Sequence, residues 1–100
     1  LLFDGSLDSS SNYGTASVDI AAPGTYILST SIENSYAFMS GTSMAAPMVT
    51  GAAAMLYSYR TDISLADVKN ILLASSRKMD TLSGKVGCQG MLDVYSAFIY

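Results

Sequence analysis

The stretch SGTSMAAPMVTGAAAML, residues 40–56, places Ser43 directly after Gly41-Thr42 and directly before a run of small apolar residues, with Pro47 four positions further on. The run predicts a helix that begins near Thr42 or Ser43 and ends at about Tyr59. Gly51, Ala52, Ala53 and Ala54 leave little side-chain bulk on any face, so the helix is expected to be buried on all sides with other elements close to its backbone. Pro47 lacks an N–H and crowds the carbonyl four residues back, that of Ser43. Near a helix start this is tolerated, because the first N–H groups have no partner inside the helix. It is expected to bend the first turn and so to shape the backbone that presents Ser43.

Two readings of Ser43 stand open on these residues alone. Thr42 or Ser43 could cap the helix, as a hydroxyl before an apolar helix commonly does. Alternatively Ser43 is a nucleophile. Open N–H groups and the positive end of the helix dipole would then face an oxyanion formed on the carbonyl it attacks, and Gly41 would let a substrate backbone come close.

Composition narrows the classes. The chain has 100 residues, enough for one small domain, and half of them are hydrophobic. A net charge of −3, from 5 basic and 8 acidic residues, comes with no basic cluster for nucleic acid or an anionic membrane. The longest apolar stretch, about 45–57, is interrupted by Pro47 and Thr50 and is too short to span a bilayer. The opening LLFDGSLDSSS has neither an initiator Met nor a basic leader and reads as a processed or partial chain. Cys88 stands alone, which excludes an internal disulfide framework and a multi-cysteine metal site. It reads as a small apolar residue or as one half of a bridge to a cysteine upstream. Histidine is absent.

The remaining elements frame the serine. Residues 1–11 are Ser-, Asp- and Gly-rich and read as a loop, and Gly14 marks a turn. VDIAAPG (18–24) predicts a short strand ended by Pro23-Gly24, and TYILSTS (25–31) a second strand. Glu33-Asn34-Ser35 reads as a turn, followed by an extended approach at 36–41. SLADVKNILLASS (64–76) predicts a second helix capped by Ser64 with Asp67, its apolar face built from Leu65, Val68, Ile71 and Leu72. Arg77-Lys78 suit the end of its dipole. LSGKVGCQG (82–90) reads as a Gly-rich loop, and a last helix is expected after Asp93. Tyr57, Tyr59, Tyr95 and Tyr100 read as packing residues.

A nucleophilic serine needs a base and an orienting acid. GTSMA is one residue off the G-x-S-x-G elbow, but in that arrangement a histidine follows the serine, and none follows here. In serine hydrolases whose Asp and His precede the serine, a chain lacking its upstream part keeps only the nucleophile. That order fits.

GTSMAAPMVTGAAAML resembles the active-site serine signature of the subtilisin-like serine proteases, G-T-S-M-A-x-P followed by a Gly/Ala-rich helix. SNYG (11–14) and VDIAAPG are similar to two blocks that precede the serine in that family, and SLADVKNILLASS and GCQGMLDVYSAF more loosely resemble the segments that follow it. The resemblance covers nearly the whole chain. It implies an α/β fold with a mostly parallel sheet flanked by helices, of which residues 1–100 are the C-terminal portion of the catalytic domain. It also implies a serine endopeptidase acting on peptide or protein substrates.

Residue by residue, the resemblance makes Ser43 the acylated nucleophile and its own N–H an oxyanion donor, with Thr42 supporting the oxyanion hole. Met44 would lie beneath the nucleophile as an oxidation liability, Gly41 would border the substrate, and Ser40 and Met39 the leaving-group side. Pro23 and Gly24 shape a turn and carry no catalytic role. Met48 stands where the family usually has a histidine outside the triad, and Cys88 where it has the first Gly of a closing G-x-G. No D-T-G or H-G-T block is present, and neither Asn12 nor Asn34 matches the family's oxyanion Asn. The 100 residues alone are therefore expected to be inactive and, with the helix uncovered, to self-associate. A pseudoprotease, or an interaction module in which Ser43 only caps a helix, is the alternative. No cofactor is visible. Calcium is possible in the parent, where Asp19 falls at a position some members use for a weak cation. Secretion is implied by the resemblance alone.

Overall fold

The computed structural model describes residues 1–100. Its elements, in chain order, are β1 (Ile27–Ser31), β2 (Ser35–Met39), α1 (Thr42–Tyr59), α2 (Leu65–Ala74), β3 (Arg77–Lys78), a 3-10 turn at Asp80–Leu82, β4 (Gly90–Met91) and α3 (Val94–Ile99). β1 and β2 form an antiparallel hairpin in which Ile27 faces Met39 and Ser31 faces Ser35. Glu33 and Asn34 turn the chain at φ 59° and 56°, the left-handed region that Asn tolerates better than most residues.

The strand expected at 18–24 is reduced to one parallel bridge, Ala21 to Met91. Ala21 N–H donates to the Gly90 carbonyl at 3.1 Å, and Leu92 N–H donates to the Ala21 carbonyl at 2.8 Å. On the other side, the Leu1 amino group donates to the Ala22 carbonyl at 2.8 Å and Gly24 N–H to the Leu1 carbonyl at 3.3 Å. Pro23 has no N–H to give, and the flanking segments are one or two residues long, so the ladder cannot extend. Both ladders, β1–β2 and β3–β4, are antiparallel, so of the mostly parallel sheet expected from the sequence these 100 residues keep only this bridge.

Two apolar clusters hold the chain. Ala52 and Leu56 of α1 pack with Val68, Ile71 and Leu72 of α2 and Ala97 of α3. Leu1, Ala21, Leu82 and Val86 form the second. The α2 face runs through Val68, Ile71 and Leu72 as its periodicity predicts, but Leu65, in the first turn, lies outside it at 77% exposure. α3 is joined to α1 by Tyr59 stacked on Phe98, centroids 5.1 Å apart, and by Arg60, whose guanidinium donates to the Phe98 carbonyl at 3.1 Å.

The expectation of a fully buried α1 needs correction. Only Ala52 and Leu56 are buried, and a Cβ added at Gly51 would meet nothing within 4 Å. The small residues are present, but the apolar cluster shared with α2 and α3 covers the helix only from Val49 onward.

Ser64 caps α2 as expected. Its hydroxyl accepts from Asp67 N–H at 3.1 Å, and the Asp67 carboxylate accepts from Ser64 N–H at 3.0 Å. α2 ends at Ala74, so Arg77 and Lys78 fall in β3 instead of the last helical turn. Lys78 still serves the helix end by reaching back to the Leu73 carbonyl at 3.2 Å, and it also donates to the Cys88 carbonyl at 2.8 Å.

The bond from Ser64 N–H, and after it the Ser64 side chain, holds the Asp67 carboxyl below the usual carboxylate range; Ser96 N–H does the same for Asp93 at the start of α3. A carboxyl with a depressed folded pKa stabilises the fold above its unfolded pKa, and that stabilisation disappears as pH falls through the folded value. Helix content measured by circular dichroism should therefore decline on acidification below the ordinary carboxylate range. Asp67→Asn should lose the α2 share of that acid dependence, while an unchanged acid profile in the variant would refute the assignment.

Candidate active site

β2 runs into α1 through Ser40 and Gly41. The N-cap is Gly41, at φ 151° and ψ 166°, and no side chain caps α1. That backbone conformation is essentially restricted to glycine. Neither the Thr42 nor the Ser43 side chain caps the helix. Ser43 occupies the second helical position, exposed, and its hydroxyl makes no hydrogen bond within the chain. Met44 and Ala45 N–H both donate to the Gly41 carbonyl, at 3.0 and 3.3 Å, whereas Thr42 and Ser43 N–H donate to no group of the chain. Ser43 thus presents a free hydroxyl beside open N–H groups at the positive end of an 18-residue helix.

The other candidates gather around it to different degrees. Met44 is half-buried against Gly41, where an added Cβ would stand 3.6 Å from its Sδ. Met39 ends β2 opposite Ile27 and is 55% exposed. The exposed Ser40 hydroxyl accepts the Tyr26 N–H at 2.9 Å. Pro47 lies inside α1, in its second turn, and the Thr50 hydroxyl beyond it donates to the Ala46 carbonyl at 3.2 Å.

Sequence reasoning missed Gly24 and Tyr26. Gly41 N–H donates to the Gly24 carbonyl at 2.8 Å, and a Cβ on Gly24 would lie 2.7 Å from the Gly41 carbonyl oxygen and 3.1 Å from the Ala45 Cβ. The signal was visible as Pro23-Gly24, but a turn dipeptide does not say which distant backbone rests on it. A cavity of about 110 Å³ opens where Thr25 faces Ser40, Gly41 and Thr42. A larger one, about 410 Å³, separates Ala45, Ala46 and Val49 from residues 1–22 along the uncovered side of α1.

Asp19 is paired with a lysine. Its carboxylate lies 3.4 Å from Lys69 Nζ, and no group of three or more His, Cys, Asp or Glu side chains gathers in the chain. No helix is long and apolar enough to cross a membrane.

The model of the subtilase family matches residues 3–89. The chain belongs to the subtilase family. This subtilase segment is 38% identical over 85 residues to subtilisin-like protease 1 of Plasmodium berghei (strain Anka), covering 85% of the segment and 14% of that protein. It is 40% identical over 92 residues to thermitase of Thermoactinomyces vulgaris, covering 90% of the segment and 31% of thermitase. Among solved structures, the prenylagaramide maturation protease PagA superposes with a TM-score of 0.84 at 31% identity, over 99% of the segment and 39% of PagA. The likeness gives the segment a partial α/β subtilase fold, and the segment spans well under half the length of each of these relatives.

Proposed function

We propose that this subtilase segment supplies the nucleophile and part of the oxyanion hole of a serine endopeptidase, with Ser43 attacking the scissile carbonyl. The observation that carries the reading is the free Ser43 hydroxyl set beside the open Ser43 N–H, with the cap position taken by Gly41. A base would take the Ser43 proton as the Oγ–carbon bond forms. The negative charge then moves to the carbonyl oxygen, where Ser43 N–H and the helix dipole stabilise it. Collapse of the tetrahedral species breaks the C–N bond, and the base returns its proton to the departing amine. Water repeats the sequence on the acyl-enzyme and frees Ser43. Thr42 supports the oxyanion side, Gly41 borders the substrate, Ser40 and Met39 border the leaving-group side, and Met44 packs under the serine.

The segment has no histidine, so the base must come from another part of the protein that carries it. Fluorophosphonate labelling with peptide mass spectrometry tests this. The intact protein should be modified on Ser43 and the isolated 100 residues should not. An intact, folded protein that remains unlabelled would overturn the proposal.

A further inference from the structure

The register around the serine contains an irregularity with a mechanical consequence. Ile27 pairs with Met39, and the next backbone bond toward the serine joins Gly41 N–H to the Gly24 carbonyl at 2.8 Å. Thr25 and Tyr26 therefore stand opposite Ser40 alone. Two residues facing one is the form of a β-bulge, a device that re-aims a strand and ends its pairing. Tyr26 takes φ 51°, a left-handed conformation unfavourable for a bulky aromatic residue. Its N–H, turned out of the ladder, is received by the Ser40 hydroxyl at 2.9 Å. The Tyr26 side chain offers no evident compensation, since it is 65% exposed.

We infer that the bulge latched by Ser40 is the device that aims the first turn of α1, and that Ser40 is a positioning residue for Ser43. The inference rests on the reading of Ser43 as nucleophile. Three contacts meet within a few residues: Ser40 holds Tyr26, Gly41 holds the Gly24 carbonyl, and the Gly41 carbonyl rests in the space left by the missing Gly24 side chain. The apolar cluster reaches back along α1 only as far as Val49, so the direction of the first turn depends on these contacts. Freed from Ser40, Tyr26 can relax from its left-handed conformation, the bulge loses its shape, and the Gly24 carbonyl moves with it. The displacement passes through Gly41 to the Ser43 hydroxyl, two residues further along. Geometry errors of about 1 Å at a reacting group can cost on the order of 10²-fold in rate.

The test uses the intact protein and resolves fluorophosphonate labelling of Ser43 into its maximal rate and its half-saturating concentration. Ser40→Ala should lower the maximal rate roughly 10- to 100-fold and leave the half-saturating concentration nearly unchanged. Ser40→Thr, which keeps the hydroxyl, should restore most of the rate, and Ser40→Val, of the same shape without it, should not. Ser64→Ala, which removes the α2 cap instead, should lower the melting temperature without changing the labelling rate. Equal rates for the Thr and Val variants, or an unchanged rate in Ser40→Ala, would overturn the positioning role while Ser43 labelling in the unaltered protein still stood. Absence of labelling in the unaltered protein would remove the nucleophile reading and the latch together.

Discussion

Ser43→Ala in the intact protein is expected to lower peptide-bond hydrolysis by a factor on the order of 10⁶, with substrate binding little affected. The effect is large because nothing nearby replaces the lost hydroxyl. Thr42 is adjacent in sequence but one helical position away, and Ser40 is committed to Tyr26. The base would then have no proton to take. What survives is transition-state binding by the open N–H groups, on the order of 10³- to 10⁴-fold over water. Steady-state rates on a peptide substrate, with thermal melts to show an intact fold, check the prediction. Retention of more than about a tenth of the activity would mean that another group performs the attack.

Gly24→Ala should impair both folding and chemistry, although Gly24 touches no substrate atom in the proposed mechanism. The new methyl would sit 2.7 Å from the Gly41 carbonyl oxygen, a backbone atom that cannot rotate aside, and 3.1 Å from the Ala45 Cβ. Relief requires the start of α1 to move away from the 24–26 turn. Inserting a methyl into a filled site costs about 1–3 kcal/mol. The accompanying shift of Ser43 should slow its labelling by a further factor of roughly 10–100. Denaturant unfolding and labelling kinetics on the same sample separate the two losses. A variant that is destabilised yet labels at the original rate would show that the turn supports the fold without aiming the serine.

The sequence made the local features legible because each is written in a few adjacent residues. Ser64 and Asp67 form the reciprocal cap their spacing predicts, and Asp93 starts α3 by accepting Ser96 N–H at 3.0 Å. The helix containing Ser43 ends at Tyr59, as its apolar run suggests. What stayed hidden depends on residues far apart in the chain. Periodicity assigned Leu65 to the buried face, but the neighbouring elements decide where that face ends, and they do not reach the first turn of α2. Small residues in α1 signalled close packing, yet within these 100 residues most of its first half stays uncovered. At the candidate site, the Ser43 motif could be read directly. The dependence of Gly41 on Gly24, and of Tyr26 on Ser40, could not, because no local pattern links positions 14 to 17 residues apart.

The division of α1 has an evolutionary consequence. Its second half is gripped by Leu56 and Ala52 in a shared core, and its first half is held chiefly by backbone bonds at its start. Selection for a folded chain therefore falls along the helix, and selection for activity is concentrated at its start. Met48, exposed at 36%, lies where neither demand is strong. Drift can replace side chains there without loss of the fold, and new surface properties can be acquired one turn away from the serine without rebuilding the scaffold that holds it.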